Sequence, residues 1–126
     1  MITVSPEKDK QRIKELFLEN DLEFLENSCA VIALCDDEVL GCCLYDLYEE
    51  SDRKIVVHKV FPDSDIMLAD GILRSALHVA AERSIMDAFY SDSAPKELFL
   101  KLGFIKSEPE KRLDIDKLFG GCNCSK

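Results

Sequence analysis

His58 stands in "KIVVHKVFP" (54–62), an apolar β-branched run that places its imidazole on one face with Val56 and Val60 if the run is a strand. Histidine changes charge near neutrality, which suits a general base. The competing role is a histidine held by hydrogen bonds inside a sheet. Asp63, Asp65 and Asp70 cluster just after that run, ahead of an apolar helical stretch. Aspartate there serves as an N-cap or a partner of the helix dipole, and it repels any anion approaching the same helix end. Cys122 and Cys124 stand in "FGGCNCSK" at the end of the chain. Thiolates so spaced can share a soft metal ion or form a redox pair. Two ligands do not complete a tetrahedral zinc site, so partners from elsewhere or from a second chain are required, and incidental thiols are the alternative.

These groups need a scaffold, and the chain supplies signals for one. "ITV" reads as a short strand, and Ser5-Pro6-Glu7-Lys8 as a helix start with Ser5 at the N-cap and Pro6 at the first helical position. Ile13, Leu16, Phe17 and Leu18, then Leu22, Phe24 and Leu25, form an apolar face across one interrupted helix or two short ones. "CAVIALC" (29–35), the turn "DDE" and "VLGCCLYDLYE" (39–49) form a hairpin, and residues 54–62 add a third strand. A helix from Leu68 to Arg83 buries Ile72, Leu73, Ala76, Leu77 and Ala80, and leaves His78 at the surface. "MDAFY" (86–90) is a further strand. "SDSAPKELFLKLGF" (91–104) opens on small polar residues and continues as a helix that Gly103 ends in the left-handed conformation, with Phe104 packing back. "FIKSEPEKRLDIDKLF" holds a final strand and a polar end. A meander followed by a crossover predicts an α+β fold, an α/β mixed sheet flanked by helices.

Size and charge bound the function. The 126 residues, 47% hydrophobic, suit one domain over 1–119 with a cysteine-containing tail over 120–126. A net charge of −9 opposes phosphate backbones and anionic membranes, so nucleic acid and membrane are not expected partners. No apolar run approaches the roughly 18 residues of a spanning helix. The start lacks a basic region followed by an apolar one, so the expected location is cytoplasmic. Of six cysteines, Cys29, Cys35, Cys42 and Cys43 lie in strand-like runs and read as buried free thiols.

The element order, together with Gly41 after the hairpin turn, "VFP" at 60–62, the helix "LRSALHVAAERS" and "ELFLKLGF" at 97–104, resembles the GNAT superfamily of N-acetyltransferases from about Ile2 to Phe104. The resemblance implies acetyl-CoA held in a V-shaped split between the strands 54–61 and 86–90, and transfer of its acyl group to a primary amine of a small molecule or peptide. The partners would be acyl-CoA and a small amine acceptor, for a monomer or homodimer. Val60, Phe61, Ala69, Asp70, Gly71, Asp92 and Phe99 fall at cofactor-binding positions, and His58 would deprotonate the amine. The family's phosphate loop carries Arg or Gln, then Gly, then Gly or Ala. Here those positions hold Ser64, Met67 and Ala69, or Asp65, Leu68 and Asp70 in the register one residue on. Asp92 and Phe99 stand where the family has Asn and the thiolate-protonating Tyr, and Phe99 has no proton to give. The thiolate would then take its proton from water or from another group such as Tyr90, at the end of its strand, which otherwise serves as a strand aromatic. The alternative function is a catalytically inactive GNAT-fold binding or regulatory module, with a thiol or metal role for the tail.

Overall fold

The computed structural model describes residues 1–120. One mixed sheet of seven strands forms its centre, in the order β1-β2-β3-β4-β5-β7-β6. β1 (Ile2–Pro6), β2 (Ser28–Cys35), β3 (Glu38–Tyr48) and β4 (Lys54–Phe61) form an antiparallel meander. Asp36 and Asp37 turn the β2–β3 hairpin with φ of 52° and 72°. Two successive positive φ values match the right-handed twist of the flanking strands, and aspartate tolerates them. The α-helix α2 (Ile66–Glu82) then carries the chain back, so that β5 (Ala88–Tyr90) lies parallel to β4.

Helices cover both faces. α1 (Lys10–Glu19) packs Ile13 and Phe17 on Ala30, Ile32, Cys42 and Leu44. α2 and α3 (Lys96–Leu102) cover the opposite face, where Val31, Cys43, Tyr45, Val57 and Val60 meet Ile72, Leu73, Leu77 and Phe99. Each fully buried large apolar side chain contributes about 1.5–3 kcal/mol. α3 ends as expected, with Gly103 at φ 76° and Phe104 buried.

Several expectations are corrected. Ser5 and Pro6 do not start a helix: they pair with Ile32 and Val31 as the end of edge strand β1. Proline is tolerated there because an edge strand needs no donor on its open side. The α1 N-cap is instead Asp9, which accepts from the Gln11 N–H. Leu22 and Phe24 follow α1 as a non-helical segment lying on its cluster. The end of the chain supplies two strands, β6 (Ile105–Ser107) and β7 (Arg112–Leu113), with β7 inserted beside β5, and then a short helix α4 (Lys117–Gly120). Cys42 and Cys43 are buried, whereas Cys29 and Cys35 are partly exposed.

Candidate active site

β4 and β5 are hydrogen-bonded neighbours for three residues only, from Ile55 opposite Ala88 to Val57 opposite Tyr90. The Ser91 N–H then donates to the Val57 carbonyl at 3.0 Å, after which β5 has ended while β4 continues to Phe61. The two parallel strands thus form a fork whose prongs lead into α2 and α3. Gly41 seats the β4 prong: a Cβ there would lie 2.4 Å from the Phe61 carbonyl oxygen and 2.8 Å from Pro62 Cδ. Only glycine allows this backbone approach.

A β-bulge decides what faces the fork. Leu44 is opposite Lys59 and Tyr45 opposite Val57, so β4 carries one more residue than β3 at His58–Lys59. The bulge exchanges the alternation beyond it. His58 and Val60 therefore do not share a face, contrary to the simple period of two: Val60 enters the α2-side core, while the His58 ring meets Phe17 of α1 edge-on at 6.2 Å.

His58 is fully engaged. Its Nε2 lies 2.9 Å from Asp46 Oδ2 and its Nδ1 lies 2.8 Å from Ser91 Oγ. Asp46 is 4% exposed, and its other oxygen accepts from the Ser28 hydroxyl at 2.8 Å. Ser28 Oγ in turn accepts the Leu25 N–H at 2.8 Å. A carboxylate only accepts, so the contact places a proton on Nε2, and in the neutral imidazole Nδ1 then accepts from the Ser91 hydroxyl. His58 is thus held by hydrogen bonds at both ring nitrogens within the sheet.

Asp46, Ser28 and Ser91 went unnoticed in the sequence. A carboxylate in the middle of the apolar "CCLYDLY" was the available signal for Asp46, because such a charge must find partners when buried. Nothing local marks the two serines.

The other candidates divide between core and surface. Tyr90 is 5% exposed and packs edge-on against Phe99, ring centroids 5.6 Å apart, on the α2 side of the sheet and so on the face away from His58. The side chains of Val60, Ala69 and Phe99 are buried in the same cluster, and Phe61 joins the α1-side cluster. A Cβ on Gly71, within α2, would meet no atom of a neighbouring element within 4 Å. Asp92 is exposed and paired with Lys111. Asp70 pairs with Arg74 at 2.8 Å, whose guanidinium lies over the Phe104 ring. Asp65 caps α2, accepting the Leu68 N–H at 3.1 Å. The capping carboxylate occupies a donor and places negative charge where a diphosphate would be received, so this helix end does not fit that part of CoA. Cys122 and Cys124 lie outside the described residues, and among the described residues no cluster of potential ligands could hold a metal ion. Among the same residues, no helix is long and apolar enough to cross a membrane.

Burial pushes the Cys42 thiol up to about 11 and raises Cys43 and Tyr45 well above their ordinary ranges. These groups belong to the packing of the sheet rather than to the fork.

No protein-family model and no curated protein matches the chain. Solved structures do. A candidate acetyl transferase from Pyrococcus furiosus superposes with a TM-score of 0.61 at 14% identity, over 86% of this chain and 95% of its own. A probable acetyltransferase from Staphylococcus epidermidis gives 0.58 at 17% identity, over 82% and 83%. An acetyltransferase of the GNAT family from Staphylococcus aureus gives 0.51 at 10% identity, over 72% and 73%. The chain has the fold of the GNAT acetyltransferases.

Proposed function

We propose that the protein is an N-acyltransferase that moves an acyl group, acetyl in the simplest case, from a CoA-type thioester to a primary amine of a small molecule or peptide. The observation that carries this reading is the fork with His58 at its root. Beyond Val57, the strand β4 has no β5 partner, and a free strand edge hydrogen-bonds an extended amide chain such as a pantetheine arm. His58 Nδ1 is the base on the α1 side, and the buried Asp46 carboxylate stabilises the imidazolium formed when a proton arrives. The thioester supplies the activated acyl group. The net charge of −9 favours a cationic acceptor.

The capped α2 end refines the donor. With Asp65 on the Leu68 N–H, the diphosphate of CoA gains little there, so recognition rests on the pantetheine and acyl portions. Titration calorimetry and a thiol-release assay with a panel of amines test this. Acetyl-CoA and acetyl-pantetheine should bind with similar affinity and both should donate. Absence of binding at millimolar concentration, together with no thiol release, would remove the reading.

A second reading is a GNAT-fold binding module without catalysis. The Asp65 cap and the buried Phe99 at the proton-donor position favour it. Thiol release that depends on His58 would exclude it.

A further inference from the structure

We propose that Ser91 is a nucleophile that accepts the acyl group as an ester before it is passed on, which gives the protein an acyl-ester and thioester hydrolase activity when no amine is present. The inference rests on the acyl-transfer reading of the fork and goes beyond it, because direct attack of an amine on a thioester needs no serine.

The geometry is a relay of one polarity. The Leu25 N–H donates to Ser28, the Ser28 hydroxyl to Asp46 Oδ1, and His58 Nε2–H to Asp46 Oδ2. With a donor on each carboxylate oxygen, the basic atom of the neutral imidazole that this relay leaves is Nδ1, and the group 2.8 Å from it is the Ser91 hydroxyl. A nucleophile, a base that takes its proton and a buried carboxylate that orients the base form the logic of a catalytic triad. The serine meets Nδ1 and the aspartate Nε2, exchanged from the usual arrangement, and the imidazole passes a proton equally in that sense.

Position supports the same role. Ser91 is the first residue past β5, where alternation puts it on the face of Phe89, opposite Tyr90 and toward His58. Its N–H is tied to Val57 and its carbonyl accepts from Ala94 at 3.1 Å, so the backbone carrying the hydroxyl is fixed on both sides. Ser91 and His58 are both partly exposed, at the root of the fork, whereas Asp46 is buried.

The chemistry balances without an oxidant or a metal. Ser91 Oγ forms a bond to the acyl carbon as its proton moves to His58 Nδ1. The carbon–sulfur bond of the thioester then breaks and the thiolate takes the proton from His58. In the second half, an amine or, in its absence, water attacks the ester carbon, gives a proton to Nδ1, and the C–Oγ bond breaks as Ser91 regains its proton. The products are a thiol and an amide or a carboxylic acid.

The test uses the full chain with para-nitrophenyl acetate and acetyl-pantetheine, with quench and mass spectrometry of proteolytic peptides. The expected result is one acetyl group on the Ser91 peptide, resistant to neutral hydroxylamine as an oxyester is, and a burst of nitrophenolate equal to the enzyme. Ser91→Ala should lose the label and lower ester turnover by at least about a hundredfold, with an unchanged circular dichroism spectrum. Ser93→Ala should retain both. If Ser91→Ala transfers acetyl to amines at the wild-type rate, the serine is not an intermediate and this inference falls while the acyltransferase reading stands. If the wild-type protein neither labels, hydrolyses nor transfers, both fall.

Discussion

The Ser28 hydroxyl donates to Asp46 at 2.8 Å on the carboxylate oxygen that His58 does not use. Each oxygen of this buried group therefore has its own donor, and the charge is held in place from two strands. Substituting Asp46→Asn puts an N–H where an acceptor is needed and turns the imidazole to its other tautomer. Acyl-transfer turnover should fall on the order of 10⁴-fold, as when a triad aspartate is so changed. Nitrogen chemical shifts of His58, recorded beside the kinetic assay, should show the proton moved from Nε2 to Nδ1.

Gly41 and Gly71 should respond in opposite directions to alanine. A Cβ at Gly41 would sit 2.4 Å from the backbone oxygen of Phe61, which cannot turn aside, whereas nothing lies within 4 Å of one at Gly71. Gly41→Ala should destabilise the protein by about 2–3 kcal/mol. Gly71→Ala, inside α2, should stabilise it by about 0.5–1 kcal/mol. Urea unfolding midpoints of the two variants check both signs.

Removing the α2 cap should convert the helix end into an anion site. Asp65→Gly frees the Leu68 N–H and removes a negative charge at a cost of a few tenths of a kcal/mol, since glycine is itself a fair N-cap. Affinity for acetyl-CoA should rise on the order of tenfold, more at low salt than at high, while that for acetyl-pantetheine stays the same. Calorimetry with the two ligands separates the outcomes.

Alkaline pH should weaken the fold through its buried acids. The Cys42 thiol is raised by burial from 9.0 to about 11. Between these values the unfolded chain loses its proton while the folded one keeps it, so the unfolded state gains and stability falls as pH rises. The Cys42 contribution is on the order of 2 kcal/mol, complete near the upper value, with Cys43 and Tyr45 adding in the same direction. Unfolding midpoints across this window should decline, and Cys42→Ala should flatten part of the slope.

Much of this architecture was legible because its signals are local. Paired aspartates at a hairpin, a glycine after "FLKL" and the apolar stripe of α2 each depend on neighbours in the chain. The order of these elements, with Gly41, "VFP" and "ELFLKLGF", carried the family resemblance, and the resemblance implied the fork. The polar cluster was harder, because residues 28, 46, 58 and 91 come from four segments and meet only once the sheet has formed. Counting alternate residues put His58 with Val60, and the bulge makes that count fail. Pro6 misled for a related reason: its fixed φ suits a helix start and an edge strand alike, and the pairing with Val31 chooses between them.

The surplus residue in β4 is absorbed at His58–Lys59, and the registers on either side, Val57 with Tyr45 and Cys42 with Phe61, are kept. Such a place works as a socket. The paired strands fix its walls, and Asp46, Ser91 and Phe17 fit the imidazole seated in it.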